Sequence, residues 1–261
     1  MRVAVLQLNS QGMSSTKLYN YIRIASKNDV KLILLGEYIL NPFFKELENL
    51  SLSMIQEQAQ HQSKVLSELS STYGMSIIAP LIIVKKDKIY KTIMKFSASG
   101  STIYLQQILI NYPHWNEEKF FANNIETLKT PLTFKVEDMK FAIMSGFETH
   151  FDELWSNLKN VDCVLVPSIS TFDSYERWKA LLLSRAFTHN CYVLRANRIG
   201  EYKEDENIWQ FYGDSFLADP NGELLEHLGN KEELMIADIF HSEALKSRKL
   251  WKFKEHIKKR S

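Results

Sequence analysis

A carboxylate at the end of an apolar strand is the first feature of this chain with chemical potential. Glu37 closes the hydrophobic run at 30–35. In that position it is either part of a catalytic apparatus or a polar group kept by local hydrogen bonds. A second set of reactive types, Ser145, Glu148 and His150, follows the apolar residues 141–144. These are the types a serine hydrolase uses. Their offsets at one strand end do not line the side chains up in series, and no Gly-x-Ser-x-Gly elbow is present. Cys163 lies inside an apolar stretch and Cys191 begins another, so both read as core thiols. The seven histidines are scattered without paired ligand spacing, and the sequence calls for no metal and no cofactor. Tyr112, His114 and Trp115 precede Glu117 and Glu118, a loop suited either to an aromatic-lined ligand site or to surface packing.

The elements that must position these groups follow from periodicity. Residues 2–8, 30–35, 75–85, 89–96, 102–109, 140–145, 163–166, 192–197, 213–218, 223–228 and 233–239 read as strands. Ser15 or Thr16 opens a helix, residues 51–73 form a long one, and 151–158 and 175–190 form two more. Strands alternating with helices, and hairpins among them, predict an α/β domain with mixed sheets. One domain covers 1–241, and 242–261 is a basic tail with eight Lys/Arg against two Glu. Leu250, Trp251, Phe253 and Ile257 interrupt that charge, which favours packing on the body or on a second subunit over contact with nucleic acid.

The 261 residues are 45% hydrophobic and 24% charged, with a net charge of +1, so the whole molecule has no strong attraction for nucleic acid or acidic membranes. The longest apolar run, 77–84, is broken by Pro80 and falls far short of the roughly 18 residues of a membrane span. Two cysteines at this length build no disulfide framework, and the reading is a cytoplasmic protein.

Several segments, in order, resemble the nitrilase superfamily of carbon–nitrogen hydrolases. They are the opening strand from Val3 to Gln7, the run from Leu32 to Glu37, and Tyr104 to Leu109. Next come Asn116 to Phe121, the stretch Phe141 to Trp155, Trp178 to Gly200, and the turn Asp219-Pro-Asn-Gly222. The resemblance implies a four-layer αββα sandwich that dimerises, here through helices near 151–158 and 175–190. It also implies a Cys–Glu–Lys triad with an accessory glutamate. Glu37 matches the triad glutamate, and Glu118 the accessory one, or Glu117 if the loop is shifted. Gln106 stands where the lysine belongs, Gly146 where the cysteine belongs, and Gly36 where the family has proline.

Acyl transfer by this route needs a thiolate, a carboxylate to move its proton, and a cation or amide donors facing the oxyanion. Losing an oxyanion donor costs about 10²–10³ in turnover. Losing the nucleophile costs on the order of 10⁶, and this second loss outweighs the first. The sequence therefore predicts a family member without amidase chemistry that binds a protein partner or a small amide or acid. The alternative is an active amide hydrolase using a shifted or atypical set of residues.

Overall fold

The computed structural model describes residues 1–204 and 206–258. Of the basic tail, 259–261 and the side chains of Ile257 and Lys258 lie outside the described residues. The chain opens with β1 (Arg2–Gln7), α1 (Thr16–Lys27), β2 (Leu32–Leu35), the single turn α2 (Phe44–Leu47) and the long α3 (Leu52–Tyr73). A meander of β3 (Ser76–Lys85), β4 (Lys88–Ser97) and β5 (Gly100–Leu105) leads to a small hairpin, β6 (Asn111–Tyr112) and β7 (Trp115–Asn116). Then come β8 (Thr133–Val136), β9 (Met139–Ile143), a 3-10 turn at Phe147–His150, α4 (Asp152–Ser156), β10 (Cys163–Pro167), α5 (Tyr175–His189) and β11 (Tyr192–Ala196). The hairpin β12 (Ile199–Glu204) and β13 (Asn207–Tyr212) precedes β14 (Phe216–Ala218), β15 (Leu224–His227) and β16 (Glu233–Asp238). Helices α6 (His241–Trp251) and α7 (Phe253–Lys258) follow.

Two six-stranded sheets result, ordered β16-β1-β2-β3-β4-β5 and β15-β14-β11-β10-β9-β8. Alternate residues of each strand face opposite sides, and both sides are apolar. Val3, Val5, Leu32, Leu34 and Ile78 of the first sheet meet Phe141, Ile143, Leu165, Leu194 and Leu217 of the second in a shared core. The other face of the first sheet packs against α1 and α3 through residues such as Leu18, Ile22, Leu66 and Leu69. The other face of the second sheet receives Leu154, Trp155, Leu182 and Ala186 from α4 and α5. The layers are therefore helix, sheet, sheet, helix: the αββα sandwich.

Local chemistry sets the element ends. Ser51 caps α3, its hydroxyl accepting the Met54 N–H at 3.3 Å. β5 stops at Leu105, short of the expected 109, because the Gln107 N–H donates to the buried Glu148 carboxylate at 2.6 Å instead of continuing the ladder. The first half of the basic tail is an amphipathic helix on the body. Ala244 and Ser247 are buried, Ser247 Oγ donates to Pro220 O at 3.0 Å, and Arg248 pairs with the buried Asp162. Among the described residues no helix is long and apolar enough to cross a membrane.

At the C-terminal ends of β2 and β11 the two sheets come unusually close. A Cβ on Gly36 would meet Asn197 C at 2.9 Å and Arg198 N at 3.0 Å, both backbone atoms that cannot swing aside. Gly36→Ala is therefore expected to lower the unfolding free energy by about 1–3 kcal/mol, the usual cost of overpacking. Urea denaturation measures it, and a neutral substitution would show that this approach is not tight.

Candidate active site

Glu37 leaves β2 into the gap between the sheets and is 3% exposed. Its Oε2 lies 2.6 Å from Lys91 Nζ, and the same ammonium lies 2.7 Å from Glu117 Oε1. Tyr38 OH donates to Glu117 Oε1 at 2.8 Å. Tyr38 itself holds φ at 56°, a left-handed conformation that is strained for a bulky residue. Arg198 Nη1 clamps that strained backbone by donating to Tyr38 O at 3.1 Å. Two carboxylates and one ammonium are thus buried together. Burial, helped by the Glu117 charge and opposed by Lys91, pushes the Glu37 carboxyl above the ordinary glutamate range. Burial disfavours the Lys91 ammonium, but Glu117 and Glu37 outweigh it, and its pKa is raised.

Gly146 lies beside this cluster at the end of β9. Its N–H donates to Pro167 O at 2.8 Å, and its backbone favours the charged form of the Glu37 carboxyl. A Cβ at Gly146 would meet Ser168 Cβ at 2.7 Å and Trp178 Cη2 at 3.3 Å. Ser168 is not arranged as a nucleophile. Its hydroxyl donates to Ala196 O at 3.1 Å and accepts from Arg195 Nε at 3.2 Å, and among the described residues no carboxylate or imidazole is bonded to it. The cavity lined by Glu37, Tyr38, Asn41, Pro80, Ile82 and Lys91 measures about 10 Å³, room for about one water.

The other sequence candidates separate. Ser145 Oγ is buried without a hydrogen-bond partner, while Glu148 accepts from the Ser145 N–H at 2.8 Å, the Gln107 N–H and Tyr104 OH. His150 is exposed and its Nδ1 lies 3.0 Å from Phe147 O, so Ser145, Glu148 and His150 form no relay. Cys163 and Cys191 are buried, and burial pushes both thiols up, Cys191 to about 12. Tyr112, His114 and Trp115 join an aromatic cluster with Trp209 and Phe172.

Of the two glutamates that the resemblance left open, Glu118 is on the surface, where its Oε2 accepts from Asn111 Nδ2 at 2.7 Å, and Glu117 is buried. The β6–β7 hairpin turns Glu117 inward by bonding its N–H to Ile110 O at 2.8 Å. Gln106 is buried and its amide donates to Ile108 O at 2.8 Å, but the site does not lack a cation, because Lys91 supplies one. Sequence reading missed Lys91. The available signal was its place on β4 between Ile89 and Ile93, positions that share one face of a strand.

The model of the carbon–nitrogen hydrolase family matches residues 2–248. The omega-amidase NIT3 of Saccharomyces cerevisiae is 25% identical over 259 residues, covering 92% of this chain and 87% of that protein. The citrullinase of Francisella tularensis is 22% identical, covering 96% and 93%. Among solved structures, a carbon–nitrogen hydrolase from Helicobacter pylori superposes with a TM-score of 0.87 at 20% identity, covering 98% of this chain and 94% of that one.

Burial raises the Glu148 carboxyl to about 7, against 4.5 for an unperturbed one. Between those values the folded chain keeps a proton that the unfolded chain releases, so this group's stabilisation is full below about 4.5 and fades as pH rises through about 7. The expected result is a carboxyl-carbon resonance of Glu148 titrating near neutrality. The decline in stability between pH 5 and pH 8 should also be shallower in Glu148→Gln. An ordinary titration near pH 4.5 would overturn this assignment.

Proposed function

Because the chain belongs to the carbon–nitrogen hydrolase family, we propose that it has kept the family's fold while losing amide hydrolysis, and that it acts by binding. The observation that carries this reading is the closure around Gly146. There is no nucleophilic side chain, and the space one would occupy is taken by Ser168 Cβ, 2.7 Å from the point where a Cβ would lie. The adjoining cavity has room for about one water, not for an amide. Lys91 is held by two carboxylates, which leaves its ammonium poorly placed to face an oxyanion.

The partner is a second copy of the chain, another protein, or a small amide or acid held outside the closed site. Self-association is supported by surface rather than by α4. Leu154, Trp155 and Leu182 are consumed by the core, whereas Tyr175, Leu245, Leu250 and Trp251 are exposed on α5 and α6. Trp251 packs edge-on against Phe187 of α5 at 5.0 Å, joining the two helices in one face.

Purified protein is expected to show no turnover of omega-amides, N-carbamoyl compounds or nitriles above buffer, measured as ammonia release. Turnover abolished by Glu37→Gln would instead establish a hydrolase with an atypical set. The introduced thiol of Gly146→Cys should alkylate slowly and the variant should lose stability, because Ser168 must move. In light scattering at micromolar concentration the expected mass is twice that of the chain, through an interface burying more than about 1,000 Å². Leu250→Glu combined with Trp251→Glu should reduce it to one chain.

A further inference from the structure

We propose that the buried cation of this site has changed strands. Lys91 on β4 supplies, from directly across the ladder, the charge that position 106 does not, and it is the positioning residue that holds the Glu37 and Glu117 segments together. This inference does not depend on whether the protein hydrolyses amides.

The geometry rests on register. β4 and β5 pair antiparallel with Thr92 opposite Leu105. The Gln106 N–H donates to Lys91 O at 3.2 Å, extending the ladder by one step and setting Gln106 opposite Lys91. Residues directly opposite in an antiparallel pair project from the same face, with Cβ atoms about 4.5–5.5 Å apart. Both are buried. Asn123 ties the two backbones together: its Nδ2 donates to Lys91 O at 2.7 Å and to Gln106 O at 2.9 Å, while its Oδ1 accepts the Lys91 N–H at 2.9 Å. The two positions are thus held side by side on one rigid platform, from which Lys91 reaches the carboxylates while the Gln106 amide turns to Ile108 O. A flexible four-carbon stem from either Cα can carry an ammonium toward them. Only one cation is needed. A second ammonium would meet the first, and a site with none would bury two carboxylates without a countercharge, which is strongly unfavourable.

Lys91 also joins three segments that are distant in sequence. Glu37 lies just past β2, Glu117 follows β7, and Lys91 lies inside β4, its Nζ also 5.1 Å from the centre of the Tyr38 ring. Neutralising it should release the Glu117 segment and Tyr38 together.

The test is a charge swap read by thermal unfolding at pH 5.5 and pH 8. Lys91→Gln should lower Tm by roughly 10 °C at pH 8. The loss should be smaller at pH 5.5, because the unpaired carboxylates then take up protons. Lys91→Gln with Gln106→Lys should recover at least half of the loss and remove its pH dependence. Lys91→Gln with Glu117→Gln should recover part of it by removing one unpaired charge. If Lys91→Gln does not fold, soluble expression of the swap variant carries the same expected result. A swap variant no better than Lys91→Gln, or insoluble alongside it, overturns the proposal. So does recovery in the Glu117→Gln combination without recovery in the swap.

Discussion

The structure turns on a buried imbalance of charge: one ammonium, Lys91, between two carboxylates, Glu37 and Glu117. Such a group is expensive to desolvate, and its members are tolerated inside only because each has a partner at hydrogen-bonding distance. Its surroundings are organised accordingly. Tyr38 adopts a strained backbone that places its hydroxyl on Glu117, Arg198 holds that backbone, and Asn123 locks the strand pair that carries the lysine. The shared apolar core of the two sheets then excludes the water that would weaken each of these contacts.

The two glycines at this end work in the same direction. Gly36 lets the end of β2 approach the backbone after β11, and Gly146 lets the end of β9 approach Ser168. A Cβ at either place would separate the strand ends and open a space. The tight spacing at this end is thus a property of the backbone, so a side chain added at Gly146 has to displace Ser168 before it finds room.

Much of this was legible in the sequence, for physical reasons that differ by element. The long helix α3 and strands β1, β3, β4, β10 and β16 announce themselves because their apolar residues recur at helical spacing or as buried runs. Glu37 stood out because it follows such a strand, whereas Gly146 was singled out only by the resemblance of the segment around it. The hairpins β6–β7 and β12–β13 were not, since aromatic and polar residues there mix without a clear period and pair through local geometry. Glu117 and Glu118 are chemically equivalent neighbours, and only the hairpin's turn decides which one points inward. Lys91 was hidden because a lysine in a strand ordinarily marks a solvated face, and its burial depends on two partners 54 and 26 residues away in the chain.

The placement of β1 has a consequence for how the chain is made. The first strand lies between β2 and β16, pairing with the latter from Arg2 opposite Asp238 to Gln7 opposite Glu233. During synthesis β1 can find β2 early, but its other edge has no partner until residues 233–238 have left the ribosome. Until then a row of unpaired amides and carbonyls flanks a strand whose residues 3–6 are all apolar, the kind of edge that recruits a neighbouring chain. Closing it requires contacts across more than two hundred residues, which slows folding. The nascent protein is therefore exposed to misassembly until residues 233–238 emerge, and a messenger truncated before them would yield a product with that edge open.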